Sequence, residues 1–146
     1  SLYPSDDSRD ELKACLHSIA EYELTDHVLM DTRFLEKSEI LKELSKADIA
    51  ALPYEESNEG GSASATDAFA VGLPIVVSTA EIFDSIRSVT STASHDPDAL
   101  ARAILHLLHS SKQYKIFADA SLEHAKKNSW SNVAGFFLPQ PKYQGQ

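Results

Sequence analysis

Leu52-Pro-Tyr-Glu-Glu-Ser-Asn-Glu-Gly-Gly-Ser-Ala-Ser-Ala-Thr-Asp-Ala-Phe-Ala-Val-Gly-Leu-Pro-Ile-Val-Val77 divides into strand, loop, helix, turn and strand. The run Ala47-Asp48-Ile49-Ala50-Ala51-Leu52 is short and apolar and stops at Pro53, as a buried strand does. Residues 62–71 are rich in alanine and compatible with a helix, and Gly72 follows as a C-terminal stop. Pro74-Ile75-Val76-Val77 is a second apolar run. Two strands joined by a helix of this length make a βαβ unit, which predicts a parallel sheet.

The chemistry of this stretch lies where the loop meets the helix. Glycine lets a backbone approach a ligand closely, and the first N–H groups of a helix are unpaired and carry partial positive charge. Gly60, Gly61, Ser62 and Ala63 therefore read as an anion cradle, best suited to phosphate. Two acids bracket it, Glu59 before it and Asp67 eight positions later on the helix. A carboxylate beside a phosphate site does not hold phosphate; it accepts hydrogen bonds from hydroxyls, such as those of a ribose or a sugar.

Glu59, seven intervening residues, then Asp67-Ala68-Phe69-Ala70-Val71-Gly72-Leu73-Pro74-Ile75-Val76 resembles the donor-site signature of glycosyltransferase family 4, retaining enzymes of the GT-B architecture. The flanks resemble the family as well: Ala47–Pro53 before the motif and Ser129-Trp130 before the last helix. Two departures are visible. Asp67 stands where the family usually has Glu, and Gly60-Gly61-Ser62 replaces an aromatic-Gly pair at the helix start.

The resemblance implies a Rossmann-like parallel sheet with helices on both faces, the C-terminal donor-binding half of a GT-B enzyme, incomplete at its N-terminal side. It implies transfer of a sugar from a nucleotide-diphosphate-sugar to an acceptor in polysaccharide or glycolipid biosynthesis. Glu59 is then the catalytic residue beside the donor sugar and Asp67 the ligand of the ribose hydroxyls, while the amides of Gly60, Gly61, Ser62 and Ala63 receive the diphosphate. The loop Asp31-Thr32-Arg33 would lie near the nucleotide base, with Arg33 as a donor-binding candidate beside its plainer reading as a surface arginine. No metal or other cofactor is expected, since the helix dipole and basic side chains would neutralise the leaving diphosphate. The family's basic pair for the diphosphate and its acceptor domain have no match here, so the chain by itself is expected to be inactive, its partners being the nucleotide-sugar and a missing N-terminal domain.

The rest of the chain fits an α/β pattern. Ser1-Leu2-Tyr3 looks like a strand. Ser8-Arg9-Asp10-Glu11 has the form of a capping box, and Leu12, Cys15, Leu16 and Ile19 recur at helical spacing. This predicts a helix over 9–22 with one buried face. Cys15 lies on that face without a base or cation beside it and reads as core. Val28-Leu29-Met30 predicts a short strand, and 39–46 a helix with Ile40, Leu41 and Leu44 inward. Glu55 and Glu56 read as a solvated charge run. Residues 89–92 make a weak strand. Asp96-Pro97 caps a helix with Leu100, Ile104, Leu107 and Leu108 inward. His106 and His109 share one side of it, and two ligands make only a weak metal site. A helix over 112–127 carries the stripe Tyr114, Phe117, Ala118, Leu122 and Ala125, and Ser129 starts a last one with Trp130, Val133, Phe136 and Phe137. These C-terminal apolar residues could serve self-association.

Composition sets the outer bounds. The 146 residues are 42% hydrophobic, enough to bury a core in one domain, taken as residues 1–138 with 139–146 as a flexible tail. A net charge of −9 argues against nucleic acid or anionic lipid as a general partner. The single cysteine cannot form an internal disulfide and fits a reducing, cytoplasmic compartment; the longer protein could still lie against the inner face of a membrane. No apolar run reaches the ~20 residues of a membrane span. A non-catalytic Rossmann-like or flavodoxin-like binding or protein-interaction domain is the alternative class.

Overall fold

The computed structural model describes residues 5–56 and 60–137. The expected strand at 1–3, the tail at 139–146, Glu59 and the side chain of Phe136 lie outside the described residues. Two compact units divide the chain, 1–39 and 40–146.

The first unit holds helix α1, Asp6–Glu21. It begins three residues before the expected Arg9, because Ser5 rather than Ser8 is its N-cap: Ser5 Oγ accepts the N–H of Ser8 at 3.1 Å. Asp6 and Asp7 then sit in the first turn, where the helix dipole favours negative charge. At the other end Leu24 N–H donates to Ile19 O and Glu23 N–H to Ala20 O, while Glu23 takes φ 55°. That is a Schellman motif with a non-glycine residue in the left-handed position. No residue of α1 is fully buried; Leu12, Cys15 and Ile19 of the expected face are half-buried and Leu16 is 48% exposed.

The expected strand at Val28–Met30 is absent. A strand needs a ladder partner, and the sheet recruits none of these residues. Instead His27 and Val28 turn back to donate to Leu24 O, and Leu29 is 91% exposed.

Helix α2, Lys37–Leu44, carries the chain into the second unit with Ile40, Leu41 and Leu44 half-buried, as their spacing predicts. There a three-stranded parallel sheet forms in the order β1 (Ala50–Leu52), β2 (Ile75–Val77), β3 (Ser91–Thr92). Ala50 pairs with Ile75 and Leu52 with Val77; Val77 also pairs with Thr92. Helix α3, Ala63–Ala70, connects β1 to β2, and a 3-10 helix, Glu81–Val89, connects β2 to β3.

Alternation along β2 explains the core. Ile75 and Val77 point to one face and join Ala65, Ala68 and Phe69 of α3 and Ile82 and Phe83 of the 3-10 helix in one buried cluster. Val76 points to the other face and is equally buried, so the central strand is covered on both sides. Helix α4, Pro97–His109, lies against β2 and buries Leu107. It starts as its sequence predicts: Asp96 accepts Ala99 N–H at 2.8 Å and Pro97 occupies the first turn. Leu108, expected inward, is half-exposed. Helix α5, Ser111–Lys127, packs on α3 and α4, with Ser121 rather than Leu122 turned fully inward. Helix α6, Trp130–Phe137, closes the described chain and leaves Trp130 88% exposed.

Candidate functional site

Gly72 sets where α3 stops. It takes φ +76°, its N–H donates to Phe69 O, and Leu73 N–H reaches back to Ala68 O. With the C-terminus pinned there, the start of α3 is fixed at the carboxyl end of β1, where open parallel sheets place their ligands.

The opening turn of α3 is capped and open to solvent. Ser62 is the N-cap, and its hydroxyl accepts Ala65 N–H at 3.2 Å, while Thr66 N–H makes the first helical bond to Ser62 O. The N–H groups of Ala63 and Ser64 precede that bond, and both residues are exposed. No acid occupies the first turn of α3, so no side chain of that turn neutralises its partial positive charge. Gly60 and Gly61 are exposed and neither takes positive φ. A Cβ built on either would meet nothing within 4 Å. The fold itself therefore places no steric or conformational demand for glycine at these two positions.

Asp67 lies one helical turn beyond Ala63 and is 8% exposed, the only buried carboxylate among the described residues. It lines a cavity of about 330 Å³ with Ser64, the three residues of β1, and Ile40 and Leu44 of α2. Ser64 was not anticipated as a partner of this cavity, although its place three residues before Asp67 on a helix puts both on one side.

The loop leading from β1 is held at three points. Tyr54 O accepts from Ser78 Oγ at 2.5 Å, Pro53 O accepts from His95 Nε2 at 2.8 Å, and Glu56 accepts Glu81 N–H at 3.1 Å. Tyr54 also packs its ring on Phe83, centroids 5.2 Å apart. Glu56 is thus no idle member of a charge run; it caps the start of the 3-10 helix, a partner 25 residues away that local spacing could not reveal.

Of the residues singled out in the sequence, Gly60, Gly61, Ser62, Ala63 and Asp67 come together at the start of α3. Glu59 lies outside the described residues. Arg33 belongs to the first unit, where its guanidinium and backbone N–H grip Asp31 and pull that carboxyl down to about 2. His106 and His109 gather no third metal ligand among the described residues. A larger cavity, about 430 Å³, lies between the 3-10 helix and α5, but it contains no buried charge and its Ser85, Ser88 and Lys127 are exposed, so the Asp67 cavity is the stronger candidate.

No curated protein matches the chain. A family profile does, described as Glycosyl transferases group 1, over residues 8–124, which takes in most of α1, the whole parallel sheet and the start of α3 with Asp67. The chain belongs to the group 1 glycosyltransferases.

Proposed function

We propose that the start of α3 is the sugar-donor site of a retaining, family 4 glycosyltransferase that uses a nucleotide-diphosphate-sugar in polysaccharide or glycolipid biosynthesis. The observation that carries this reading is the pairing of a buried Asp67, facing a cavity, with an open helix start one turn away. The free amides from Gly60 to Ala63 suit a diphosphate. Asp67 then accepts hydrogen bonds from ribose hydroxyls, and its shorter side chain, compared with Glu, brings the ribose closer to α3. Glu59 is the carboxylate beside the donor sugar, where negative charge stabilises the positive charge that develops at the anomeric carbon as the diphosphate leaves. The diphosphate charge is met by the helix start rather than by a metal.

Calorimetric titration of UDP, GDP and their sugars into the protein tests this. Asp67→Ala is expected to weaken nucleotide affinity at least tenfold, because it removes a charge-assisted hydrogen bond in a buried setting. Glu59→Ala is expected to abolish sugar transfer in the complete enzyme while leaving binding of the bare nucleotide nearly intact. Unchanged nucleotide binding in Asp67→Ala would remove the assignment.

A further inference from the structure

Trp130 is the chain's single tryptophan and is 88% exposed at the start of α6. An exposed ring on its own calls for no explanation. This one borders a cavity of about 300 Å³ between α3 and the end of α5, which shares no lining residue with the Asp67 cavity. His124 and Asn128 line it too, and both also line the cavity of about 430 Å³ between α5 and the 3-10 helix. The two cavities adjoin there, as one groove across the C-terminal end of α5.

The groove is lined by polar groups that the fold leaves unbonded. Among the described residues, the side chains of Ser85, Ser88, Glu123 and Lys127 make no hydrogen bond or ion pair. Glu123 and Lys127 stand four apart on α5, a spacing that suits an ion pair, and still do not form one. Asn128 Nδ2 donates to His124 O at 2.9 Å, which leaves its Oδ1 to accept. Burial, and then the charge of Lys127, favour the neutral form of His124, whose ring has one donor and one acceptor. Stacking on the buried Phe69 holds that ring in place.

We propose that this groove is a second saccharide site, separate from the donor cradle, with Trp130 as its stacking platform. A pyranose has an apolar C–H face and a rim of hydroxyls. The exposed indole suits the face. The hydroxyl, amide and imidazole groups suit the rim, because each sugar hydroxyl both donates and accepts. Glu123 and Lys127 cancel in formal charge, which favours a neutral ligand over a phosphate or a nucleotide. Each cavity has the size of a small-ligand site, so the groove has room for more than one sugar unit.

Trp130 reports its own occupancy, since no other tryptophan contributes to the emission. The chain is titrated with trisaccharides of glucose, mannose, galactose and N-acetylglucosamine. At least one is expected to move the emission to shorter wavelength and to saturate. Calorimetry with that sugar should show affinity weaker by about tenfold or more in Trp130→Ala, the loss of an anchoring aromatic, with Trp130→Phe recovering much of it. Glu123→Ala should weaken it about tenfold, the factor of one hydrogen bond to a charged group. Both side chains are exposed, so the unfolding midpoints should stay in place. Asp67→Ala should leave saccharide affinity unchanged. A flat emission with all four sugars overturns the proposal, as does equal affinity in Trp130→Ala. Loss of saccharide binding in Asp67→Ala overturns it too, by placing the sugar in the donor cradle. An emission shift that follows protein concentration without sugar overturns it by showing that a second copy covers Trp130. Saccharide binding that persists where Asp67→Ala keeps full nucleotide affinity upholds this site and removes the donor reading instead.

Discussion

Ser121 Oγ donates to the main-chain carbonyl of Leu73 at 2.6 Å, and both residues are buried. This bond joins α5 to the turn that ends α3, so it fixes the helix whose opposite end carries the cradle. Ser121→Ala leaves the Leu73 carbonyl buried without its partner. The expected cost is about 1–3 kcal/mol, the desolvation penalty of an orphaned acceptor. Urea unfolding should show a lower midpoint with an unchanged slope; an unshifted midpoint would mean that the Leu73 carbonyl finds another partner at no cost.

Gly72 is the position where glycine is required by conformation. Its φ of +76° is unfavourable for any residue with a Cβ. A Cβ there would also lie 2.8 Å from Leu122 Cδ2. Leu122 is half-exposed and can swing away, so the backbone strain is the larger part. Gly72→Ala is expected to destabilise the fold by about 1–2 kcal/mol. In the companion variant Leu122→Ala the steric part disappears, and a double-mutant cycle should show a coupling well under half of the Gly72→Ala effect.

Glu23 poses the converse case. It holds the left-handed position at the end of α1, φ 55°, without being glycine. Glu23→Gly relieves the Cβ strain but frees the unfolded backbone, so the net gain is expected to be about 0.5–1 kcal/mol. The sensitive readout is amide exchange at Glu23 and Leu24, whose N–H groups make the two closing bonds. Both should slow by up to about fivefold, since 1 kcal/mol is roughly that factor in population. Glu23→Val, β-branched, should quicken them.

What was legible in the sequence depended on how locally it was encoded. The βαβ unit was written in apolar runs, a helix-compatible stretch and Gly72, and it forms as read, with Ile75–Val77 at its centre. Asp96-Pro97 capped α4 because both signals act within one turn. Residues 28–30 misled because strand character needs a partner, and nothing in Val-Leu-Met says whether one exists. Ser5 rather than Ser8 caps α1, with Asp6 and Asp7 in its first turn, so the capping-box pattern at Ser8 marked a position already inside the helix. Leu108 and Leu122 illustrate a different limit: helical spacing gives a stripe, but which edge of the stripe faces inward follows from neighbours, and here Ser121 was drawn in by the Leu73 carbonyl. For the candidate site, the closeness of Gly60–Ala63 to Asp67 was readable from the glycine pair, the helix start and the flanking strands. The cavity walls from α2 and the ties made by Ser78, His95 and Glu81 were not, because they join residues 24, 42 and 25 positions apart.

His124 supplies the pH prediction. Its ring stacks on Phe69, centroids 4.4 Å apart at 37°, where α5 packs on α3. Burial is the main cause that pushes its pKa below the ordinary 6.5, and the nearby charge of Lys127 adds to it. The folded-state pKa thus lies below the unfolded one, so between the two the unfolded chain binds more protons. Stability contributed by neutral His124 is complete above 6.5, falls as pH drops through that value, and levels off once pH passes below the folded-state pKa. Acidification should therefore weaken the α3–α5 interface before the carboxylates titrate. His124→Phe keeps a ring against Phe69 and removes the proton site. Urea midpoints measured from pH 8 down to pH 5 should decline more steeply for the original chain than for His124→Phe, while the two curves run parallel above pH 7. Parallel curves across the whole range would show that His124 is equally easy to protonate folded and unfolded, and that its contact with Phe69 excludes too little water to matter.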